Sequence, residues 1–320
     1  MRMGSRVLAI MITVALCICT AGCSGSDDKA RAMRDADRAM LTQGERGARD
    51  NRSECLMPMA EGVEVYENEY VFIDASNKSR GYLIVHYTGE SQKVKLQLTG
   101  SNEITYTYGL AVDGGKNEVF PLSSGSGSYM VNVYENIQQN QYAAVFSTEL
   151  KVELENELLP YLYPNQYVTF DEGSEAVALA RDLAWSADDD LQVISSVYNY
   201  IIGHVTYDNK KAETVQSGYL PDIDETLETG TGICLDYAAL MTAMLRSQRI
   251  PTRVEVGYAG TAYHAWISVF IEEVGWVNGM IEFDGHDWSL MDPTFASTTD
   301  ADKLKDFIGD GENYNLKYVY

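Results

Sequence analysis

Two hydrophobic periods, used one after the other, predict an α+β protein built in two parts. From residue 61 to 156 apolar and polar side chains alternate at period two, as in strands buried on one face. From residue 157 to 320 the period lengthens to that of helices, and three strand runs follow them. Between the helices and those strands a glycine-punctuated turn delivers a single cysteine, Cys234, to the start of a helix that is apolar nearly all round.

The chain begins with two arginines in residues 1–6 and an almost purely apolar run from Val7 to Ile18. These are the n-region and h-region of a signal peptide, expected over residues 1–22, and the run is short for a spanning helix. It leads into Thr20-Ala21-Gly22-Cys23, which resembles a bacterial lipobox. That resemblance implies an exported protein, acylated at Cys23 and anchored to the membrane there. Residues 23–60 are polar, with seven acidic and seven basic side chains between 24 and 54. They read as a tether, partly helical near Lys29 to Leu41, and as flexible coil would reach roughly 30–35 Å.

In the strand region Val94, Leu96 and Leu98 alternate with Lys93, Lys95 and Gln97, and Tyr129, Val131 and Val133 follow a serine-glycine turn. About seven such runs, separated by turns such as Asp113-Gly114-Gly115, predict a sandwich of immunoglobulin-like type. No residue cluster there suggests catalysis, so its expected role is spacing or binding a surface-protein or cell-wall partner. The stretch Leu158 to Phe170, with Pro160 and Pro164, is the expected connection between the parts.

Two helices come next. The second starts at Asp188-Asp189-Asp190, whose charges suit a helix N-terminus better than a calcium loop. A polar loop is expected from Tyr207 to Glu228, and then the cysteine helix, with Thr231 as N-cap and Arg246 and Arg249 as cations at its negative end. Free N–H groups at a helix start favour an anion and can lower a thiol's pKa, which makes a nucleophile. A free cysteine is equally at home as a small inert core residue. The stretch by itself leaves both readings open.

The strands beyond it weigh towards chemistry. In Tyr263 to Phe270, alternation puts His264, Trp266, Ser268 and Phe270 on one face. Trp288, Leu290 and Asp292 share a face of a later run that ends at Pro293. A thiol, an imidazole and a carboxylate on three regular elements form a set able to attack a carbonyl, shuttle its proton and orient the ring.

The motifs around them carry a family resemblance. Gly230 to Leu240 (Gly-x-x-Cys-x-Asp-Tyr-Ala-Ala-Leu), Leu245 to Arg253, His264-Ala265-Trp266 and Trp288 to Thr294 are similar to the transglutaminase-like, papain-related superfamily. The resemblance implies a papain-like core over roughly residues 165–300, with Cys234 as nucleophile, His264 as general base and acid, and Asp292 as orienting acid. It implies acyl transfer from a protein or peptide amide through a thioester, to water as a cysteine peptidase or amidase, or to an amine as a transglutaminase. The backbone N–H of Cys234 is a natural oxyanion donor. Gln216 or Tyr219 could add a side-chain donor, with Trp266 walling the substrate channel. Asp236 is expected to bind backbone or basic groups nearby and to take no part in the chemistry. A second reading is a catalytically silent surface lipoprotein that uses the sandwich for adhesion or as a scaffold.

Composition narrows the partners. The formal net charge is −23, and residues 1–22 hold none of the 47 acidic side chains. Such a charge argues against nucleic acid. Five cysteines, two of them in the leader, are no disulfide framework. The chain has no C-x-x-C and no H-E-x-x-H, so neither metal nor cofactor is expected.

Overall fold

A computed structural model of the protein describes residues 38–320, apart from 113, 260, 273, 279–280, 284–287 and 291–313. The signal sequence, Cys23 and Asp292 therefore lie outside the described residues, as do the side chains of Trp288 and Leu290.

The period-two region forms eight strands: β1 (Val65–Glu67), β2 (Val71–Asp74), β3 (Tyr82–Tyr87), β4 (Val94–Thr99), β5 (Thr105–Leu110), β6 (Glu118–Pro121), β7 (Gly127–Gln138) and β8 (Gln141–Val152). They assemble into two antiparallel four-stranded sheets, ordered β1-β2-β3-β6 and β5-β4-β7-β8. The alternation has its expected effect: Val94, Leu96, Leu98, Val131 and Val133 are buried and belong to the same core as Ile73, Leu83, Val85 and Phe120 of the other sheet. Lys95 and Gln97 stay at the half-exposed face.

The connection behaves as part of that core. A 3-10 turn at Leu159–Tyr161 is followed by buried Tyr163, Val168 and Phe170. Gln166 Nε2 donates to the carbonyl of Gly109 (2.6 Å) and to Glu118 (2.8 Å), which ties the segment to the strands beneath it.

The second part contains α1 (Glu175–Leu183), α2 (Asp190–His204), β9 (Thr206–Tyr207), α3 (Asn209–Thr214), α4 (Ile223–Thr229), β10 (Thr231–Gly232) and α5 (Cys234–Ser247). Strands β11 (Thr252–Ala259), β12 (Ala262–Ile271), β13 (Gly275–Asn278), β14 (Ile281–Phe283), β15 (Trp288–Leu290) and β16 (Tyr314–Val319) complete it. Asp189 caps α2 as its charge predicts, accepting from Gln192 N at 2.9 Å. Short helices α3 and α4 stand where the polar sequence suggests a plain loop. Each is nucleated by an aspartate: Asp208 accepts from Lys211 N, and Asp222 from the N–H groups of Asp224 and Glu225. α3 has no apolar stripe and α4 only Ile223 and Leu227, one turn apart, so periodicity gives little sign of them.

Helix α5 is the centre of this part. Every residue from Asp236 to Ser247 is buried, against α1, α2 and α4 on one side and β11 and β12 on the other. The main sheet runs β13-β12-β11-β16, and β16 carries Tyr318 to the N-terminal sheets, leading into Tyr320. There Tyr106, Tyr108, Tyr167, Tyr318 and Tyr320 form an aromatic cluster whose contacting rings have centroids 4.3–6.4 Å apart. The strand-region tyrosines thus serve packing between the two parts.

Residues 41–60 depart from the expected coil. Gly47 N donates to Trp185 O (3.0 Å), Arg49 N to Ala187 O (3.1 Å) and Glu54 N to Ser247 O (2.8 Å). The Asn51 amide donates to Arg181 O at 2.9 Å. The segment is a strap that satisfies carbonyls left over at the C-terminal ends of α1 and α5. Gly47 is required by closeness, since a Cβ there would sit 2.1 Å from Ala187 O.

Candidate active site

Cys234 is the first residue of α5, and Ile233, extended at φ −100° and ψ 175°, is the N-cap. Thr231 does not cap the helix. It lies in β10, which pairs in parallel with β9 so that Gly232 stands opposite Tyr207. The helix start is instead closed from inside by Asp236, which accepts from Ile233 N at 2.8 Å. Arg246 stands in the last turn of α5 and Arg249 two residues past its end, as expected, but both guanidinium groups reach beyond the helix. Arg246 is buried and donates to the carbonyls of Thr252, Tyr163 and Tyr320. Arg249 donates to the carbonyls of Asp50 and Arg52 in the strap.

Asp236 holds more than the cap. Its carboxylate is fully buried and accepts from the Tyr219 hydroxyl (2.5 Å) and from Lys211 Nζ (2.7 Å), which are themselves 2.7 Å apart. Burial and the Asp236 hydrogen bond push the Tyr219 phenol up to about 12. Burial alone would lower Lys211, but Asp236 and Tyr219 outweigh it and hold the ammonium above its ordinary value. Tyr219, a candidate oxyanion donor by sequence, is thus bound to the helix start. Gln216, the other candidate, is exposed, and its amide donates to Thr214 O in its own loop (2.8 Å).

β13 pairs with β12 only over Ser268–Ile271, whereas β11 pairs with it from Ala262 to Val269. Beyond that stretch β14 lies against β12, without a ladder of hydrogen bonds to it among the described residues. The cysteine helix packs against β12, and the backbone N–H groups of Ala265 and Leu235 lie near the sulfur of Cys234. Burial pushes the thiol pKa up, and these N–H groups only partly oppose it, so the helix N-terminus does not produce the lowered thiol that its position suggests. The residue remains partly open to solvent.

His264 is buried to 7% exposure, opposite Gly257 on β11, with its ring 6.4 Å from that of Trp266. Trp266 is buried as well, and its indole N–H donates to Glu255 at 2.7 Å. Burial raises Glu255, offset in part by Ser268 and Trp266. Farther along this face the Arg253 guanidinium lies between two rings, 3.6 Å from Trp276 and 4.4 Å from Tyr161. His264 therefore stands at the end of a packed polar and aromatic layer. β14 lies against β12, and its partner β15 leads towards Asp292.

Two tyrosines complete the surroundings of the sulfur. Tyr263, 59% exposed, is close enough to feel a charge on Cys234. Tyr207, half-buried on β9, stands opposite Gly232, two residues before Cys234. Nothing in the local pattern marks Tyr207, because only the pairing of β9 with β10 brings it there.

Comparison with known proteins identifies the family of this part. Residues 177–279 match the transglutaminase-like superfamily, so this part of the chain is a transglutaminase-like domain. A relative in Bacillus subtilis, the uncharacterized protein YebA, is 24% identical over 190 residues, which are 52% of this chain and 26% of that protein. The chain spans about a quarter of the length of that relative. Among solved structures, one described as a candidate cysteine protease from Cytophaga hutchinsonii aligns at 15% identity and a TM-score of 0.35, covering 81% of this chain and 74% of that one. Another, a candidate protease from Parabacteroides distasonis, aligns at 11% identity and a TM-score of 0.30, covering 63% and 61%.

Proposed function

We propose that the protein is an exported thiol acyl-transfer enzyme in which Cys234 is the nucleophile, His264 the general base and acid, and Asp292 the carboxylate that orients the ring. The observation that supports this most is the seat of the thiol. It sits at the start of a buried helix that packs against β12, the strand that carries His264. Burial keeps the resting thiol protonated, so the imidazole takes its proton as the sulfur attacks an amide carbonyl. The imidazolium then protonates the leaving amine, and a thioester on Cys234 passes its acyl group to water or to an amine.

The substrate is a protein or peptide, and no metal or cofactor takes part. Export and anchoring rest on the apolar run Val7 to Ile18 and on acylation of Cys23. The two N-terminal sheets then form an immunoglobulin-like sandwich that sets the enzyme off from the membrane and offers its outer face to a surface or cell-wall partner.

The test is the rate of Cys234 alkylation by iodoacetamide against pH, read on the Cys234 peptide by mass spectrometry, in the parent, His264→Ala and Asp292→Ala. The expected result is a loss of at least about tenfold at pH 7 in His264→Ala and a smaller loss in Asp292→Ala. Equal rates in parent and His264→Ala would mean that thiol and imidazole do not act together, and the enzyme reading would fall.

A further inference from the structure

A helix start can be capped from outside, by the residue before it, or from within. A polar N-cap side chain folds over the first turn and takes its N–H groups. Here the N-cap is Ile233, which has no acceptor and makes no side-chain bond to that turn. The cap comes from the other direction: Asp236, inside the first turn, reaches back to Ile233 N at 2.8 Å. The N–H groups of Asp236 and Tyr237 go to Ile233 O (2.9 and 3.1 Å), and no capping side chain lies over those of Cys234 and Leu235. The turn is thus ordered while the N–H that an oxyanion would use is left clear of a cap.

The same arrangement puts a buried carboxylate beside a reaction that develops negative charge, on sulfur and then on the carbonyl oxygen. The charge of Asp236 opposes ionisation of the thiol. Its counter-charge is Lys211, whose Nζ lies 2.7 Å from Oδ2, while the Tyr219 hydroxyl donates to Oδ1 at 2.5 Å. We infer that Asp236 is a positioning residue for Cys234, and that Lys211 acts in the same reaction by cancelling the charge of Asp236. The inference rests on the reading of Cys234 as nucleophile.

The backbone brings these groups together. Asp208 N donates to Gly232 O (2.9 Å), and the Asp208 carboxylate accepts from Lys211 N (2.9 Å), so the turn that carries Lys211 is pinned to the segment entering α5. Gly232 gives the carboxylate room to fold back, since a Cβ there would lie 2.8 Å from that of Asp236. Lys211 Nζ is also 2.7 Å from the Tyr219 hydroxyl and 4.5 Å from the centre of its ring. A neutral cap at residue 233 would order the helix as well, and a buried charge pair adds little stability over neutral groups. What the pair adds is a first turn held without a side chain over it.

The test reads charge rather than shape. Other titratable groups at this end of α5 are Asp208, Tyr207 on β9, and Tyr263 and His264 on β12, and the 211 and 236 variants leave all of them in place. In the full chain, alkylation of Cys234 by iodoacetamide is followed against pH on the Cys234 peptide. Lys211→Met is expected to raise the midpoint by about one pH unit and Asp236→Asn to lower it by about as much. The double variant should return close to the parent, and Lys211→Arg should match it. Midpoints that stay put, or that move in the same direction, would overturn the role of Lys211. The cap is then read with both charges gone. Lys211→Met with Asp236→Ala should be acylated by p-nitrophenyl acetate, through an oxyanion, about tenfold more slowly than Lys211→Met with Asp236→Asn, with alkylation alike in the two. Equal acylation would overturn the positioning role of Asp236. If Asp236→Asn does not fold alone, Lys211→Met against Lys211→Arg decides the charge role. Failure of the underlying reading looks different: His264→Ala would leave alkylation of Cys234 unchanged, whatever stands at 211 and 236.

Discussion

Lys211 Nζ lies 2.7 Å from a carboxylate oxygen of Asp236, whose side chain is fully buried two residues into the helix after Cys234. The pair joins the short helix α3 to the start of α5, and Tyr219 closes the triangle. Removing the carboxylate would strand a cation, a phenol and the Ile233 N–H together. Asp236→Ala is therefore expected to cost about 3 kcal/mol in urea unfolding. Lys211→Met, which removes the charge that needs Asp236, should recover part of that loss in the double variant. A cost below about 1 kcal/mol would mean that the triangle does not hold the helix start.

Arg246 makes a second prediction. Its buried guanidinium collects the carbonyls of Tyr163, Thr252 and Tyr320, one each from the connection, the start of β11 and the residue after β16. Only a planar fork with several N–H donors can serve three such acceptors. Arg246→Lys is expected to lose about 2–3 kcal/mol despite keeping the charge. If lysine matches the parent in chemical unfolding, the charge rather than the fork is what matters.

Glu255 gives a pH dependence. Burial raises its folded-state pKa above the ordinary carboxyl value of 4.5. The folded chain then holds a proton that the unfolded chain has already lost, so stability falls as pH rises from about 4.5 through the folded pKa. Glu255→Gln keeps an oxygen to accept from Trp266 but removes this titration. The melting temperature of the variant relative to the parent should therefore rise across that window and level off above it. A difference that does not change with pH would rule out the buried carboxyl as its source.

Gly257 tests how β16 is seated. It stands opposite His264 at the place where the β11–β16 register shifts, and a Cβ there would come within 2.2 Å of Asn315 O. Gly257→Ala must push β16 off the sheet at that point, with an expected cost of about 1–3 kcal/mol. Faster amide hydrogen exchange in Tyr314–Val319 should accompany it. Unchanged exchange there would show that the strand can give way without unpairing.

Both layers of the fold were legible in the residues because they follow from near neighbours. Alternation of Val94, Leu96 and Leu98 with lysine and glutamine chooses a face of a strand, and Asp189 caps α2 through a residue three positions away. The apolar wrap of α5 likewise announces a buried helix with Cys234 at its start. The site was legible only in part. Tyr219 and Trp266 stand near the candidate chemistry, but the bonds they make with Asp236 and Glu255 depend on residues brought in from other elements.

The sequence by itself determined the alternating strands such as β4 and β7, which helix is buried, and that a cysteine begins it. Those properties are set by side-chain period and by caps within a few residues. Only the tertiary structure decided that residues 41–60 strap the ends of α1 and α5, with Arg49 meeting Gln248 across 199 positions of chain. It alone decided that β13 pairs with β12 only over Ser268–Ile271, and that a two-residue pairing sets Tyr207 opposite Gly232, two residues before Cys234. The reason is that a backbone donor or acceptor carries no signature of its partner. Each must be satisfied, but which distant segment satisfies it is settled only when the whole chain packs.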